Sequence, residues 1–77
     1  MNRKEIFALV EKELEHQRTK GYTNDHEIPG FLLIMETELI EAKEGWIQGE
    51  KSQRNNVLSE ILQVIAVGVC CLERHLK

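Results

Sequence analysis

The sequence predicts an all-α protein whose protomer has three helices and assembles into an oligomeric helical bundle. Apolar residues recur at helical spacing in three segments, and no segment alternates as a strand would. The single proline and most of the five glycines lie between these segments or at their ends. With 77 residues the chain makes one domain, residues 1–77. A core this small is marginal alone, so we expect self-association.

The first helix is predicted from about Asn2 to Lys20. Ile6, Val10 and Leu14 recur at i, i+4 and i+8 and form one apolar stripe. Gly21 follows the last periodic residue, and glycine there commonly ends a helix in the left-handed conformation.

The second helix is predicted from about Pro29 to Gln48, after a loop over residues 21–30. Proline suits the first turn of a helix, where no intrahelical donor is needed. The N-terminal half of this helix is almost continuously apolar, and Gly49 is expected to end it.

The third helix is predicted from about Gln53 to His75, with Ser52 or Asn55 as its N-terminal cap. From Val57 to Leu72 it is apolar nearly all round, which is typical of a buried helix. Two other helices are too few to cover it, so we expect it to be central and partly covered by a second subunit.

Composition and charge exclude several classes of protein. The net charge is −3 with both signs interspersed, whereas nucleic-acid-binding proteins usually carry a basic face. The charged N-terminus does not resemble a signal peptide. The longest apolar run, Val64–Leu72, is about half of a membrane span. Cys70 and Cys71 suggest reduced, buried thiols, with a vicinal redox pair as the alternative. We expect a soluble cytoplasmic protein.

Four polar residues suggest a site between the second and third helices. Glu38 and Glu41 project from one face because they are three residues apart, and Glu60 and Gln63 share this spacing. Glu60 lies within an apolar run, where an unpaired carboxylate is costly. If the two helices pack antiparallel, the pairs face each other and can bind a divalent cation such as Mg²⁺. The alternatives are a solvated acidic face, and for Glu60 a peripheral acid near the helix start.

Three further residues are candidates for substrate contacts. His26 lies in the loop, Lys20 can meet a phosphate, and Trp46 can stack on a base. The alternatives are an exposed loop histidine, a solvated surface lysine, and a tryptophan of the core or of an interface.

The order of these residues resembles a known family. Glu38-Leu-Ile-Glu41, followed by Glu60-Ile-Leu-Gln63, is similar to the ExxE…ExxD signature of the all-α, MazG-like nucleoside triphosphate pyrophosphohydrolases. A small phage-type and bacterial branch of that family has further stretches in the order seen here. These are Gln17–Lys20, His26, Phe31–Met35 and Glu60–Glu73. The resemblance covers roughly residues 13 to 75.

The resemblance implies an α-helical bundle that forms a homodimer or a dimer of dimers. It also implies Mg²⁺-dependent cleavage of an NTP or dNTP into the monophosphate and pyrophosphate, with Mn²⁺ as a possible substitute. A nucleotide or another small molecule and a second copy of the chain are the expected partners, rather than nucleic acid or a membrane. The expected site residues are Glu38, Glu41 and Glu60 for the metal, Glu41 and Gln63 for catalysis, and Lys20, His26 and Trp46 for the substrate.

The sequence departs from the family pattern in three respects. Gln63 stands where the wider family has aspartate, Lys20-Gly21-Tyr22 replaces Lys-Trp-Gly, and Thr37 replaces the first acid of the glutamate run. These departures motivate an alternative function. In it the bundle has lost catalysis and serves as a small-ligand-binding or protein-interaction module. A purely structural helical assembly is a third possibility.

Overall fold

The computed structural model describes residues 1–21, 26–48 and 53–77. Over these residues the protein consists of three helices without a strand: α1 (Arg3–Lys20), α2 (Ile28–Ile47) and α3 (Gln53–His75). The all-α, three-helix prediction is confirmed for this part of the chain.

Both ends of α1 are fixed by local hydrogen bonds. Asn2 caps the helix: its side chain accepts a hydrogen bond from the backbone N–H of Glu5 at 2.9 Å, and the Glu5 carboxylate accepts one from the Asn2 N–H at 3.2 Å. This reciprocal pair satisfies donors that the first helical turn leaves free. At the other end Gly21 is left-handed, with φ 74°, so the predicted glycine stop is confirmed.

α2 begins at Ile28, one residue before the predicted Pro29, which occupies the second helical position. Proline is tolerated there because the first N–H groups of a helix have no intrahelical acceptor. The helix ends at Ile47, and Gln48 caps it with a backbone N–H donated to the carbonyl of Glu44 at 3.1 Å. The predicted Gly49 stop lies outside the described residues.

α3 has the predicted bounds, Gln53–His75. The prediction of Asn55 as a possible N-terminal cap is wrong, because Asn55 is the third residue of the helix. Ser52, the other candidate, lies outside the described residues.

α3 packs antiparallel to α2, as the site prediction required. Phe31 near the start of α2 meets His75 at the end of α3, with ring centroids 5.9 Å apart. At the other end Gly45 faces Val57, because a Cβ added to Gly45 would lie 3.3 Å from Val57 Cγ2. The C-terminal half of α2 and the N-terminal half of α3 therefore share a level of the bundle.

α1 packs on another side of α3 and is also antiparallel to it. Val10 and Leu14 form a buried cluster with Ala66, while Gln17, farther along α1, contacts the carbonyl of Gln63, which comes earlier in α3. No Cα atoms of α1 and α2 come within 8 Å of each other among the described residues. α3 is consequently the central helix, and a groove runs along it between α1 and α2.

A row of exposed apolar side chains follows α3 on the side away from the groove. Leu72 comes nine residues after Gln63, and a helix turns by about 100° per residue, so the two project in opposite directions. By the same geometry, exposed apolar residues of α2 lie beside this row. We call the combined surface the apolar face: Leu32, Leu39 and Trp46 of α2 with Leu58, Ile61, Ile65 and Leu72 of α3.

The protomer exposes much more surface than its mass requires. Its accessible area is 6146 Å² for a mass of 8.9 kDa. A monomeric globular protein of this mass exposes about 4,800 Å², so the excess is about 1,300 Å². A stable complex typically buries roughly 800 Å² per partner. The excess is therefore large enough for an interface between subunits.

Residues Asn56–His75 of α3 are long and apolar enough to cross a membrane by length and composition alone. The core helix of a water-soluble bundle meets the same two criteria, so this single helix is weak evidence for a membrane location.

Candidate functional site

Glu38, Glu41 and Glu60 converge where α2 and α3 pack together. Each residue offers one carboxylate oxygen, and the three oxygens all lie within 4.8 Å of one another. Glu38 and Glu41 are one turn apart on α2, and the antiparallel packing brings Glu60 of α3 to the same level. The structure thus unites the three acids that the sequence selected as metal ligands.

Two of these carboxylates are placed at an energetic cost. Glu38 and Glu60 are half-buried, whereas Glu41 is exposed. The Oε2 atoms of Glu38 and Glu60 are buried, and neither accepts a hydrogen bond from any of the described residues. Buried polar atoms are nearly always hydrogen-bonded in folded proteins, so these oxygens are expected either to share a proton between the two carboxyl groups or to bind a cation.

The pKa of Glu38 reflects this crowding. A hydrogen bond with the side chain of Glu60 is the largest cause that raises the pKa of Glu38 from 4.5 to about 7. Burial of the carboxyl and repulsion by the charges of Glu60, Glu41 and Glu13 raise it further. Without a cation, the cluster therefore retains a proton near neutral pH.

The donor set fits a hard divalent cation. Mg²⁺ and Mn²⁺ prefer oxygen ligands, and three carboxylates with some water molecules complete a typical coordination sphere. Oxygens bound to one Mg²⁺ lie at most about 4.2 Å apart, because each bond is 2.0–2.1 Å long. Of three oxygens around an octahedral ion at most one pair is trans, and cis oxygens lie about 2.9 Å apart, so separations of up to 4.8 Å require the side chains to draw together by as much as about 2 Å. A cation there would also satisfy the two orphaned oxygens.

Two cavities adjoin the cluster and meet at Gln63. The first, of about 370 Å³, lies in the groove between α1 and α2. The second, of about 430 Å³, lies between α2 and α3 and is lined by Glu41, Glu60 and Gly45 among others. Because Gln63 lines both cavities, it is placed to contact a molecule in either one.

α1 supplies polar groups that the sequence analysis did not select. Gln17 is only 4 % exposed. Its Nε2 donates to Glu13 Oε2 at 3.1 Å and to the backbone carbonyl of Gln63 at 3.4 Å. Gln17 continues the apolar stripe of Val10 and Leu14 at i+7, and a polar residue on such a stripe was the signal that could have found it.

Lys20 is exposed in the last turn of α1, three residues beyond Gln17. Three residues turn a helix by about 300° and advance it by about 4.5 Å, so the two residues lie on neighbouring parts of one side. Lys20 therefore stands one turn beyond the groove, outside the three-glutamate cluster.

His26 is not brought to the glutamates. Its ring packs edge-on against the fully buried Phe31, with centroids 5.6 Å apart, and its carbonyl is 3.1 Å from His75 Nε2. Phe31 precedes Glu38 by seven residues of α2, which is about 10 Å along the helix. His26 thus belongs to an aromatic cluster at the far end of the bundle.

Trp46 also lies away from the cluster. It is 66 % exposed, and its position is five residues, or about 140°, around α2 from Glu41. This rotation places it on the apolar face, which agrees with the interface alternative.

Comparison with family models finds no match, and searches of curated proteins and solved structures find no significant one.

Proposed function

We propose that this protein is a Mg²⁺-dependent nucleoside triphosphate pyrophosphohydrolase of the MazG-like type, which acts in the cytoplasm as a homodimer or homotetramer. The observation that supports the proposal most is the convergence of Glu38, Glu41 and Glu60, two of which have buried oxygens without a donor. The cavities beside the cluster, of about 370 and 430 Å³, fall within the usual size range of small-molecule sites.

In this proposal each residue of the site has a separate role in hydrolysis. Glu38, Glu41 and Glu60 would hold the cation. When bound, Mg²⁺ would supply positive charge that neutralises the triphosphate and the leaving pyrophosphate. Water forms a bond to the α-phosphorus as the bond from that phosphorus to the α,β-bridging oxygen breaks. Glu41 accepts the proton of this water, and the Gln63 amide orients the water from between the cavities.

Lys20 has a supporting role in this proposal. Lys20 lies in the last turn of α1, one turn beyond the groove, and its side chain is long enough to reach toward a phosphate held there. A positive charge in this place adds electrostatic stabilisation to the triphosphate as it is cleaved.

A second candidate function is binding without catalysis. Gln63 offers an oxygen and an amide but no charge, so the cluster has three carboxylates rather than four. In this case the site holds a cation and a nucleotide but releases no pyrophosphate.

Replacing Glu41 with glutamine should separate these functions. With Mg²⁺ and each common NTP and dNTP, we expect the wild type to release pyrophosphate and Glu41→Gln to lose at least about a hundredfold in rate, because it lacks both a ligand and the proton acceptor. Glu36→Gln, an exposed change on another side of α2, should retain the wild-type rate.

Each other outcome has a defined meaning. Unchanged turnover in Glu41→Gln would refute the site assignment. Calorimetric binding of nucleotide without turnover of any substrate would refute the enzyme and favour the binding module.

A further inference from the structure

The orientation of the Gln17 amide determines which hydrogen-bonding groups of a ligand can pair with it in the groove. Only the NH₂ end of the amide can donate to Glu13 Oε2 and to the Gln63 carbonyl, because both partners are acceptors. A flipped amide would bring its oxygen against two other oxygens. The orientation of Gln17 is therefore fixed by its neighbours.

The amide oxygen is left without a donor. Gln17 Oε1 is buried, and no described residue donates a hydrogen bond to it. The same side chain lines the groove cavity of about 370 Å³. A ligand that fills this cavity gains most if it presents an N–H donor to this oxygen, since a buried acceptor left unpaired is costly.

The polar groups around Gln17 include two further acceptors, while His16 and Gln63 line another part of the cavity and can donate. Glu13 and Glu38 line the cavity together with Gln17, and their carboxylates are the further acceptors. Ile34 and Val67 provide apolar walls against which a planar ring can pack. The part of the cavity beside Gln17, Glu13 and Glu38 therefore suits the N–H donors of a flat heterocycle and disfavours a ring that turns carbonyl oxygens toward these carboxylates.

We infer that the groove between α1 and α2 binds the nucleobase of the substrate and selects bases that carry an exocyclic amino group, with Gln17 as the specificity-determining residue. An amino group presents two N–H donors from one atom, one for Gln17 and one for a neighbouring carboxylate. The N–H of uracil is instead flanked by two carbonyl oxygens. This inference rests on the proposed nucleotide substrate.

The test compares bases that differ at the amino position. Calorimetry with Mg²⁺ and α,β-imido analogues, which resist cleavage, should show that the protein binds the CTP analogue at least about tenfold more tightly than the UTP analogue. The protein should also bind the GTP analogue at least about tenfold more tightly than the ITP analogue, because hypoxanthine lacks only the 2-amino group of guanine.

Two variants examine the role of Gln17. Methionine has a shape similar to that of glutamine but lacks the amide oxygen. In Gln17→Met the preference for the CTP analogue over the UTP analogue should therefore fall below about twofold. Glu13→Gln should also lose the preference, because glutamine at position 13 can donate to a flipped Gln17 amide. Glu15→Gln, an exposed change on the same helix, is the matched control and should keep the preference.

The possible failures are distinguishable. Binding of both members of each pair with equal affinity would overturn this inference and leave the proposed function standing. A preference that survives in both Gln17→Met and Glu13→Gln would remove Gln17 from its assigned role. Absence of binding for all four analogues would overturn the inference together with the proposed nucleotide substrate.

Discussion

Replacing Glu38 with glutamine is expected to make the metal-free protein more stable at pH 8 while weakening its binding of Mg²⁺ at least about tenfold. In the wild type, Glu38 is crowded by Glu60 and Glu41, and its pKa is raised from 4.5 to about 7. At pH 8 the folded protein therefore holds an ionised carboxyl that its surroundings disfavour. Glutamine removes this charge and keeps the approximate shape of the side chain.

The pH dependence follows from the direction of this shift. Since the folded state binds the Glu38 proton more tightly than the unfolded chain, Glu38 stabilises the fold at low pH, and this contribution is lost as the pH rises toward about 7. Between pH 5.5 and 8 we expect a loss of about 1 kcal/mol, reduced for solvent screening at this half-open site. Glu38→Gln should not show this loss.

Thermal unfolding of both proteins at pH 5.5 and 8 in EDTA measures this effect. For a domain of this size, about 1 kcal/mol corresponds to roughly 4–8 °C. Glu36→Gln controls for a change of net charge on the same helix and should follow the wild type. Adding Mg²⁺ at pH 8 should stabilise the wild type more than Glu38→Gln, because a ligand that binds only the folded state raises its stability in proportion to how tightly it binds. Equal pH dependence in wild type and Glu38→Gln would contradict the crowding argument.

The double variant Ile61→Glu and Ile65→Glu is expected to convert the proposed homodimer or homotetramer into monomers. Both residues belong to the apolar face, on the side of α3 away from the groove. Two carboxylates buried in an interface are strongly unfavourable without partners, whereas they are readily solvated on a free surface. Light scattering should give a multiple of 8.9 kDa for the wild type and the mass of one chain for the variant.

Leu33→Glu is the matched control for the interface. Leu33 is 65 % exposed, but it lies about 100° around α2 from Leu32 and therefore outside the apolar face. The Leu33→Glu variant should therefore keep the same oligomeric mass as the wild type. A wild-type mass of one chain would refute the subunit interface. Dissociation by Leu33→Glu, with the double variant unaffected, would move the interface to another surface.

Local sequence patterns predicted the helices well because the signals are themselves local. Gly21 and Pro29 act within one or two turns of their own positions, and the structure uses both near the predicted helix ends. Glu60 was informative for a different reason, since a charge within an apolar run implies a compensating group nearby. That reasoning led to the convergence with Glu38 and Glu41.

The remaining site residues depend on how the helices are rotated and paired, which local patterns do not determine. Trp46 and Glu41 are close in sequence but project in different directions from α2. His26 is held at the far end by Phe31, a contact that depends on the packing of the α2 N-terminus. Gln17 acquires its significance only when α1 lies beside Gln63, forty-six residues away.

The opposed sides of α3 have a consequence for how the proposed dimer would bind the proposed substrate. In a dimer formed through the apolar face, the two grooves open outward on opposite surfaces. Two helix layers separate them by about 20 Å, since packed helices are 8–10 Å apart. In that proposed dimer each site is complete within one subunit, and any cooperativity between the sites has to pass through the helices of the interface.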